Sequence, residues 1–372
     1  MKGGPPLSAA PSPLPAEMTT LLAIERYLPP HRYGQQVVTE WVRRWLEEAP
    51  GGASTRLLSV YANAGVESRA SVVPIEQVFS PSDFETQNRL YREIAVRAGT
   101  DVTCRALAAA GLEPGQVDFF VSVSCTGFMI PALDAHVANA LGMGPRLSRL
   151  PITESGCAGG VVGLARAHDH LLAHPDRAAV VLAVELSSLT FQPWDRSATN
   201  VVSTAIFGDG GAAAVLVGDA HPRAGAGLLR IRETGSVFFV GTTQLMGFEL
   251  RNQGLQILLD KGLAPFVRRE VVPAIDGFLG PLCLDRSRIA RFVLHPGGRR
   301  VIEVMAEKLG LGPGDLASTE AVLAEHGNMS SVTVLFVLDE ILRHDRPAAG
   351  ALGLLGAFGP GFSAELALLE FL

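Results

Sequence analysis

The sequence predicts an α/β protein with helices on both faces of its sheet. Three observations carry this. Strand-length apolar runs recur along the chain, and helical stretches lie between them. Gly and Pro, 40 and 24 of the 372 residues, punctuate the joints. With 48% apolar and 18% charged residues, the chain has the composition of a large buried core and not of a disordered segment.

The elements follow in order. Residues 1–17 (MKGGPPLSAAPSPLPAE) hold no continuous apolar run, so they read as an N-terminal tail and not as a secretory signal. Residues 101–110 read as a helix that stops at Gly111, and 117–124 (VDFFVSVS) as a buried strand. Pro131 opens a helix that ends near Gly142, and 160–174 is a longer one. Buried strands follow at 179–186 (AVVLAVEL) and 211–218 (GAAAVLVG). The second half continues in the same style, with helices at 263–279, 299–309 and 330–342 and strands at 289–294, 351–356 and 364–371. The turn-rich HPRAGAG at 221–227 marks a joint between two similar halves, 18–225 and 226–372. A site is expected between them, where loops from both converge.

Composition excludes several functions. The net charge of −6 gives no electrostatic support to nucleic-acid binding. No run of about 18 uncharged apolar residues occurs, so no membrane span is expected. Cys104, Cys125, Cys157 and Cys283 share no close spacing, which argues against a disulfide framework or a zinc knuckle and points to a reducing cytoplasm. His168, His170 and His174 fall on one helix and read as a solvated face rather than a metal site. No glycine-rich phosphate loop follows a strand with the required lysine or acidic partner, so no nucleotide cofactor is expected, and no residue is assigned as a metal ligand.

Three segments place reactive side chains at a strand end or a helix start. Glu154–Gly160 sets Cys157 among small residues ahead of a helix, whose N-terminal dipole favours a thiolate. A small buried cysteine in a packing corner fits the same letters. Phe292–Gly298 delivers His295 to the end of an apolar strand, where a structural histidine is the plainer reading. Glu325–Ser331 places Asn328 and Ser330 at a helix start, as N-caps or, for the amide, as a donor to an oxyanion. Together they form a Cys/His/Asn set. It suits decarboxylative Claisen condensation, in which the thiolate holds an acyl group and His and Asn stabilise an enolate. It also suits a cysteine hydrolase with His as base.

With Phe207–Gly210 (FGDG) and Phe358–Gly361 (FGPG), these segments (GCAGG, LHPGG, HGNMSS) resemble the type III polyketide synthases over residues 20–372. These are the chalcone-synthase-like condensing enzymes of the thiolase superfamily. The resemblance implies a thiolase-like layered αβαβα fold of two similar halves, a homodimer, and acyl-CoA and malonyl-CoA as substrates without a bound cofactor. SSLTFQP at 187–193 and FGPGFSAE at 358–365 are similar to bacterial alkylpyrone and alkylresorcinol synthases, which take long fatty acyl-CoA starters. Three alternatives stand beside this. One is a ketoacyl synthase III fed by an acyl carrier protein. Another is a type III synthase with malonyl or aromatic starters, and the third is an idle partner subunit. A carrier protein is also a conceivable starter donor for the leading reading.

By the same resemblance, Cys157 is the nucleophile. His295 and Asn328 are the decarboxylation pair and oxyanion hole, and His295 also pairs with the thiolate. Phe207 is the gating aromatic, and Ile257 stands where the family carries a second gating Phe. Cys125, Thr126, Ser187, Thr190 and Ser330 match the cavity. Gly359 and Pro360 shape its floor. Ile130 falls where each subunit reaches into its partner's cavity. Arg69 is the one basic residue matched to the CoA entrance.

Overall fold

The computed structural model describes residues 17–48 and 55–372. Except for Glu17, the expected tail lies outside these residues. In chain order the first half runs β1 (Thr19–Tyr27), β2 (His31–Gly34), α1 (Gln35–Glu47), α2 (Ser59–Asn63), β3 (Ser68–Ser71) and α3 (Ile75–Val78). It continues with α4 (Phe84–Ala110), β4 (Phe119–Val123), α5 (Leu133–Leu141), β5 (Ser148–Ile152), α6 (Gly159–Ala173), β6 (Ala178–Leu186), α7 (Ala198–Ile206) and β7 (Asp209–Gly218). Next come β8 (Leu229–Phe238), β9 (Met246–Arg251), β10 (Gly254–Leu259), α8 (Leu263–Leu279) and β11 (Ile289–Leu294). The chain closes with α9 (Arg299–Leu309), α10 (Ala317–His326), α11 (Thr333–His344), β12 (Leu352–Gly359) and β13 (Ser363–Phe371).

Nine strands form one sheet in the order β11-β12-β13-β8-β1-β7-β6-β4-β5. The halves join at β1 and β8, where Thr19–Leu21 pairs with Leu229–Ile231. Outward from that joint each side repeats one pattern. β1–β7 and β7–β6 are antiparallel and β6–β4 is parallel. β8–β13 and β13–β12 are antiparallel and β12–β11 is parallel.

The apolar strands are buried on both faces, so their side chains alternate between cores. On β6, Ala179, Val181 and Ala183 face one core, and Val180, Leu182 and Val184 face another. The first of these cores spans both halves and holds α6 and α11. α4 and α5 cover the outer face of the first half. α8 and α9, joined by α1, cover that of the second. The result is the layered αβαβα arrangement, with α6 and α11 as its middle layer. Val334 to Leu338 of α11 are all buried, as a helix enclosed between two layers requires.

Several differences from the sequence reading have local causes. The 101–110 helix is the end of a 27-residue α4, whose polar first turns hide its period; Asp83 caps it by accepting from the Thr86 N–H at 2.8 Å. The 330–342 helix begins at Thr333, after a 3-10 turn over Ser330–Val332. β5 escapes detection because it is a half-exposed edge strand containing Pro151. The histidines of α6 do not form a solvated face. His168 is buried, with Nδ1 3.0 Å from Thr19 Oγ1, and His170 stacks on Phe119 with ring centroids 4.2 Å apart. The reason is α6's place in the middle layer, where the sheet covers that side. Among the described residues no three His, Cys, Asp or Glu side chains are grouped to hold a metal ion, and no helix is long and apolar enough to cross a membrane.

Phe336 is fully buried in the middle layer, with the Arg26 guanidinium 4.9 Å over its ring and His326 edge-on at 5.2 Å. Phe336→Ala should lower the unfolding free energy by about 3–5 kcal/mol. Urea unfolding measures this, and an unchanged midpoint would contradict the packing described.

Candidate active site

The repeat in the fold explains the site. α6 and α11 hold equivalent places in the two halves, and each begins where a reactive segment ends. A 3-10 turn over Gly156–Ala158 sets Cys157 just ahead of α6. Asn328 and Ser330 lie just ahead of α11. The Ser330 hydroxyl donates to Cys157 Sγ at 3.6 Å, so the two helix starts touch. His295 follows β11, its N–H donating to Gly356 O at 2.9 Å and extending the parallel pairing with β12 by one residue.

A backbone bridge fixes Asn328. Its N–H donates to Ile206 O at 2.9 Å, and its carbonyl accepts from Gly208 N–H at 3.0 Å. Phe207 and Asn328 thereby form an isolated parallel β-bridge. Two glycines permit the approach. A Cβ on Gly208 would lie 2.3 Å from His326 O. Gly327 has φ +71°, and a Cβ there would lie 2.7 Å from Ile206 O. The FGDG and HGN motifs are thus two sides of one contact.

The Asn328 side chain divides its work. Oδ1 accepts from Ser330 N–H at 2.8 Å and from Thr333 Oγ1 at 3.3 Å, which closes the turn. Nδ2 makes a long 3.4 Å bond to Gly297 O in the His295 loop and supports a thiolate at Cys157. The capping and oxyanion readings therefore use different atoms. Ser330 holds φ +49°, uncommon for a residue with a side chain, and its Oγ also lies 3.4 Å from Cys125 Sγ.

Burial dominates the electrostatics. It pushes the Cys157 thiol up to about 11, against the hydrogen bonds from Ser330 and Asn328. The lowered thiol pKa expected from a helix start alone is overridden, because the side chain is cut off from water. Burial takes His295 down to about 3, and both of its ring nitrogens are buried without a hydrogen-bond partner among the described residues. Each charge alone is disfavoured. Passing the thiol proton to the imidazole would leave the net charge of the site unchanged.

A cavity of about 420 Å³ opens beside Cys157. Cys125, Thr126, Ser187 and Thr190 line it, as do Phe207, Ile257, Ser330 and Pro360. His295 and Asn328 are buried and not among the lining residues. Gly359 is not among them either. It lies flat against Ser155 and Ala158, where a Cβ would come within 2.6 Å of both, and leaves Pro360 to face the space. Ile130 is 80% exposed, outside the cavity of its own chain. Arg69 lines the cavity but is not a surface cation at an entrance. It is buried, and its guanidinium donates to backbone carbonyls. That engagement argues against a phosphate-binding role.

Sequence reasoning missed two parts. Glu185 is fully buried behind Cys125 and accepts from Thr126 Oγ1 at 2.8 Å, from Cys125 N–H at 3.0 Å and from Ser331 Oγ. Burial raises its carboxyl above the ordinary value. A lone acid near the end of the apolar run AVVLAVEL was the available signal. The β9–β10 hairpin was the other. One of its faces is wholly apolar, with cross-strand pairs Met246–Leu259, Phe248–Ile257 and Leu250–Leu255. Period-two alternation about Asn252-Gln253-Gly254 would have found it.

Comparison with known proteins decides the family. Residues 75–222 match the N-terminal domain of chalcone and stilbene synthases, and residues 231–372 match their C-terminal domain. The chain belongs to the chalcone and stilbene synthase family. It is a type III polyketide synthase, an acyl-transferring condensing enzyme. It is 38% identical to 1,3,6,8-tetrahydroxynaphthalene synthase of Streptomyces peucetius subsp. caesius over 353 residues, 95% of this chain and 93% of that protein. It is 29% identical to the alpha-pyrone synthesis polyketide synthase-like Pks18 of Mycobacterium tuberculosis over 329 residues, 86% of this chain and 84% of that one. The crystal structure of 1,3,6,8-tetrahydroxynaphthalene synthase from Streptomyces coelicolor superposes with a TM-score of 0.88 at 32% identity, covering 95% and 99% of the two chains.

His295→Gln tests whether the imidazole takes the thiol proton; if it does, the variant lacks the base for the thiol. Iodoacetamide labelling of Cys157 at pH 7 should slow at least tenfold. In the variant, labelling should accelerate with rising pH to beyond 9, because burial alone then sets the thiol and higher pH is needed to form the thiolate. Equal labelling of variant and wild type at pH 7 would contradict this role.

Proposed function

We propose that this synthase transfers a long-chain fatty acyl group from CoA to Cys157, extends it with malonyl-CoA, and releases alkylpyrones or alkylresorcinols. The Cys157 thiolate attacks the acyl-CoA carbonyl and CoA thiolate leaves. Malonyl-CoA then loses CO2. The resulting enolate oxygen accepts hydrogen bonds from Asn328 Nδ2 and a His295 ring N–H. The enolate carbon attacks the Cys157 thioester and expels the thiolate, which lengthens the chain by two carbons. Lactonisation closes a pyrone, and aldol closure gives a resorcinol.

One observation carries the starter class. The apolar hairpin face, with Phe248, Leu255 and Ile257, forms a wall of the cavity, and the Nη groups of Arg69, its one lining cation among the described residues, are engaged by carbonyls and Gln35. An alkyl tail suits such a wall, whereas a free starter carboxylate would lie there without a partner. A second reading, a malonyl-derived starter, is favoured by the 38% identity to a tetrahydroxynaphthalene synthase.

We also propose a homodimer in which Ile130 reaches the partner's cavity. Phe128 and Ile130 stand 55% and 80% exposed on one loop, where two large apolar residues favour a covered surface. Ile130→Glu should shift the sedimenting species from dimer to monomer and reduce product formation. A wild-type monomer would contradict this.

Mass spectrometry of products from malonyl-CoA and a series of acyl-CoA starters tests the reaction. Tri- and tetraketide pyrones or resorcinols should appear with long-chain starters and vanish with Cys157→Ala. Products from malonyl-CoA alone would establish the second reading instead. Starters accepted only from a carrier protein would overturn CoA delivery.

A further inference from the structure

We infer that Arg69 is a positioning residue that holds the gating Phe207 and the amide of Asn328 in a single arrangement. The inference rests on the oxyanion role proposed for Asn328. Arg69 lies on β3, far in sequence from the residues it holds, and it is 6% exposed. Its Nη1 donates to Thr204 O and, at 2.9 Å, to Phe207 O. Its Nη2 donates to Ala205 O at 2.9 Å and to Gln35 Oε1. Three of these acceptors are carbonyls of the last turn of α7 and the residue that ends it.

Those carbonyls have no partners within the helix, and they carry the negative end of its dipole. A planar guanidinium meets them with several donors in a fixed fork. An ammonium on a flexible stem cannot reproduce that geometry. The clamp therefore fixes where α7 stops and how Phe207 leaves it.

Two consequences reach the reaction. Asn200, Ser203, Thr204 and Phe207 lie along one stripe of α7 and its end, and all four line the cavity. Asn328 hangs from the same segment through its bonds to Ile206 O and Gly208 N–H. A shift at the end of α7 thus moves the cavity wall and the oxyanion donor together. Cys157 stands just ahead of α6 and receives no hydrogen bond from Arg69; the clamp reaches it only through Asn328 and Ser330, so acyl loading depends on the clamp less than decarboxylation does.

Arg69→Lys tests this with three readouts on folded protein: acyl loading of Cys157 by intact mass, CO2 release from malonyl-CoA without starter, and the starter chain-length profile. The expected result is loading within twofold of wild type, CO2 release at least tenfold lower, and an altered profile. Loss of loading and CO2 release by the same factor would reduce Arg69 to a structural part, and wild-type values of all three would remove its role. If Arg69→Lys fails to fold, Gln35→Met decides. It strips one acceptor from Arg69 and one donor from Ala205 O, where Gln35 Nε2 sits at 3.1 Å, and keeps the charge. It should lower CO2 release about threefold or more with loading unchanged, and unchanged CO2 release would overturn the inference. Asn328→Ala runs in parallel. Its CO2 release should fall about 10²–10³-fold, as for loss of one oxyanion donor. Full CO2 release by Asn328→Ala would mean that the site reading has failed, and not the clamp.

Discussion

Two backbone hydrogen bonds between the Ile206–Gly208 segment and Asn328 hold the chemistry of this protein together. They join a helix end in the first half to a helix start in the second, 2.9 and 3.0 Å long. Only glycine at 208 and 327 leaves room for them. Through them the cavity-lining Phe207 and the amide of Asn328 are tied to one another. The repeat of strand order in the two halves brings the starts of α6 and α11 together, and this bridge sets their fine register.

Within that frame the candidate site is shielded from water. Cys157, His295 and Asn328 are all buried, and burial alone would keep the thiol protonated and the imidazole neutral. A neutral resting site is compatible with an apolar cavity, because no fixed charge faces an incoming chain from the catalytic set. In the function proposed above, moving the thiol proton to His295 leaves the net charge of the site unchanged. The preorganised donors then act in a low dielectric, where they are worth more than in water. The unpartnered nitrogens of His295 carry a folding cost that a binding site explains.

Much of this was legible in the sequence, for definite reasons. The buried strands announce themselves because both faces are apolar, as in AVVLAVEL and GAAAVLVG. Cys157, His295 and Asn328 stand out because glycines and element ends surround them. Other features depend on tertiary placement. By sequence Arg69 matches the CoA entrance, and only the folded chain reveals the carbonyls around its Nη groups. His168 looked exposed because α6 has a mixed composition, yet the middle layer buries it against Thr19. The raised thiol pKa was equally hidden, since a helix start predicts a direction and burial reverses it.

The most direct test of the bridge is Gly208→Ala, which places a methyl group 2.3 Å from His326 O and pries the two segments apart. The measurement compares acyl loading of Cys157, by intact mass, with CO2 release from malonyl-CoA in the folded variant. The account predicts loading close to wild type and CO2 release reduced at least tenfold. Wild-type CO2 release from folded Gly208→Ala would show that Asn328 is not held by this contact and would contradict the account.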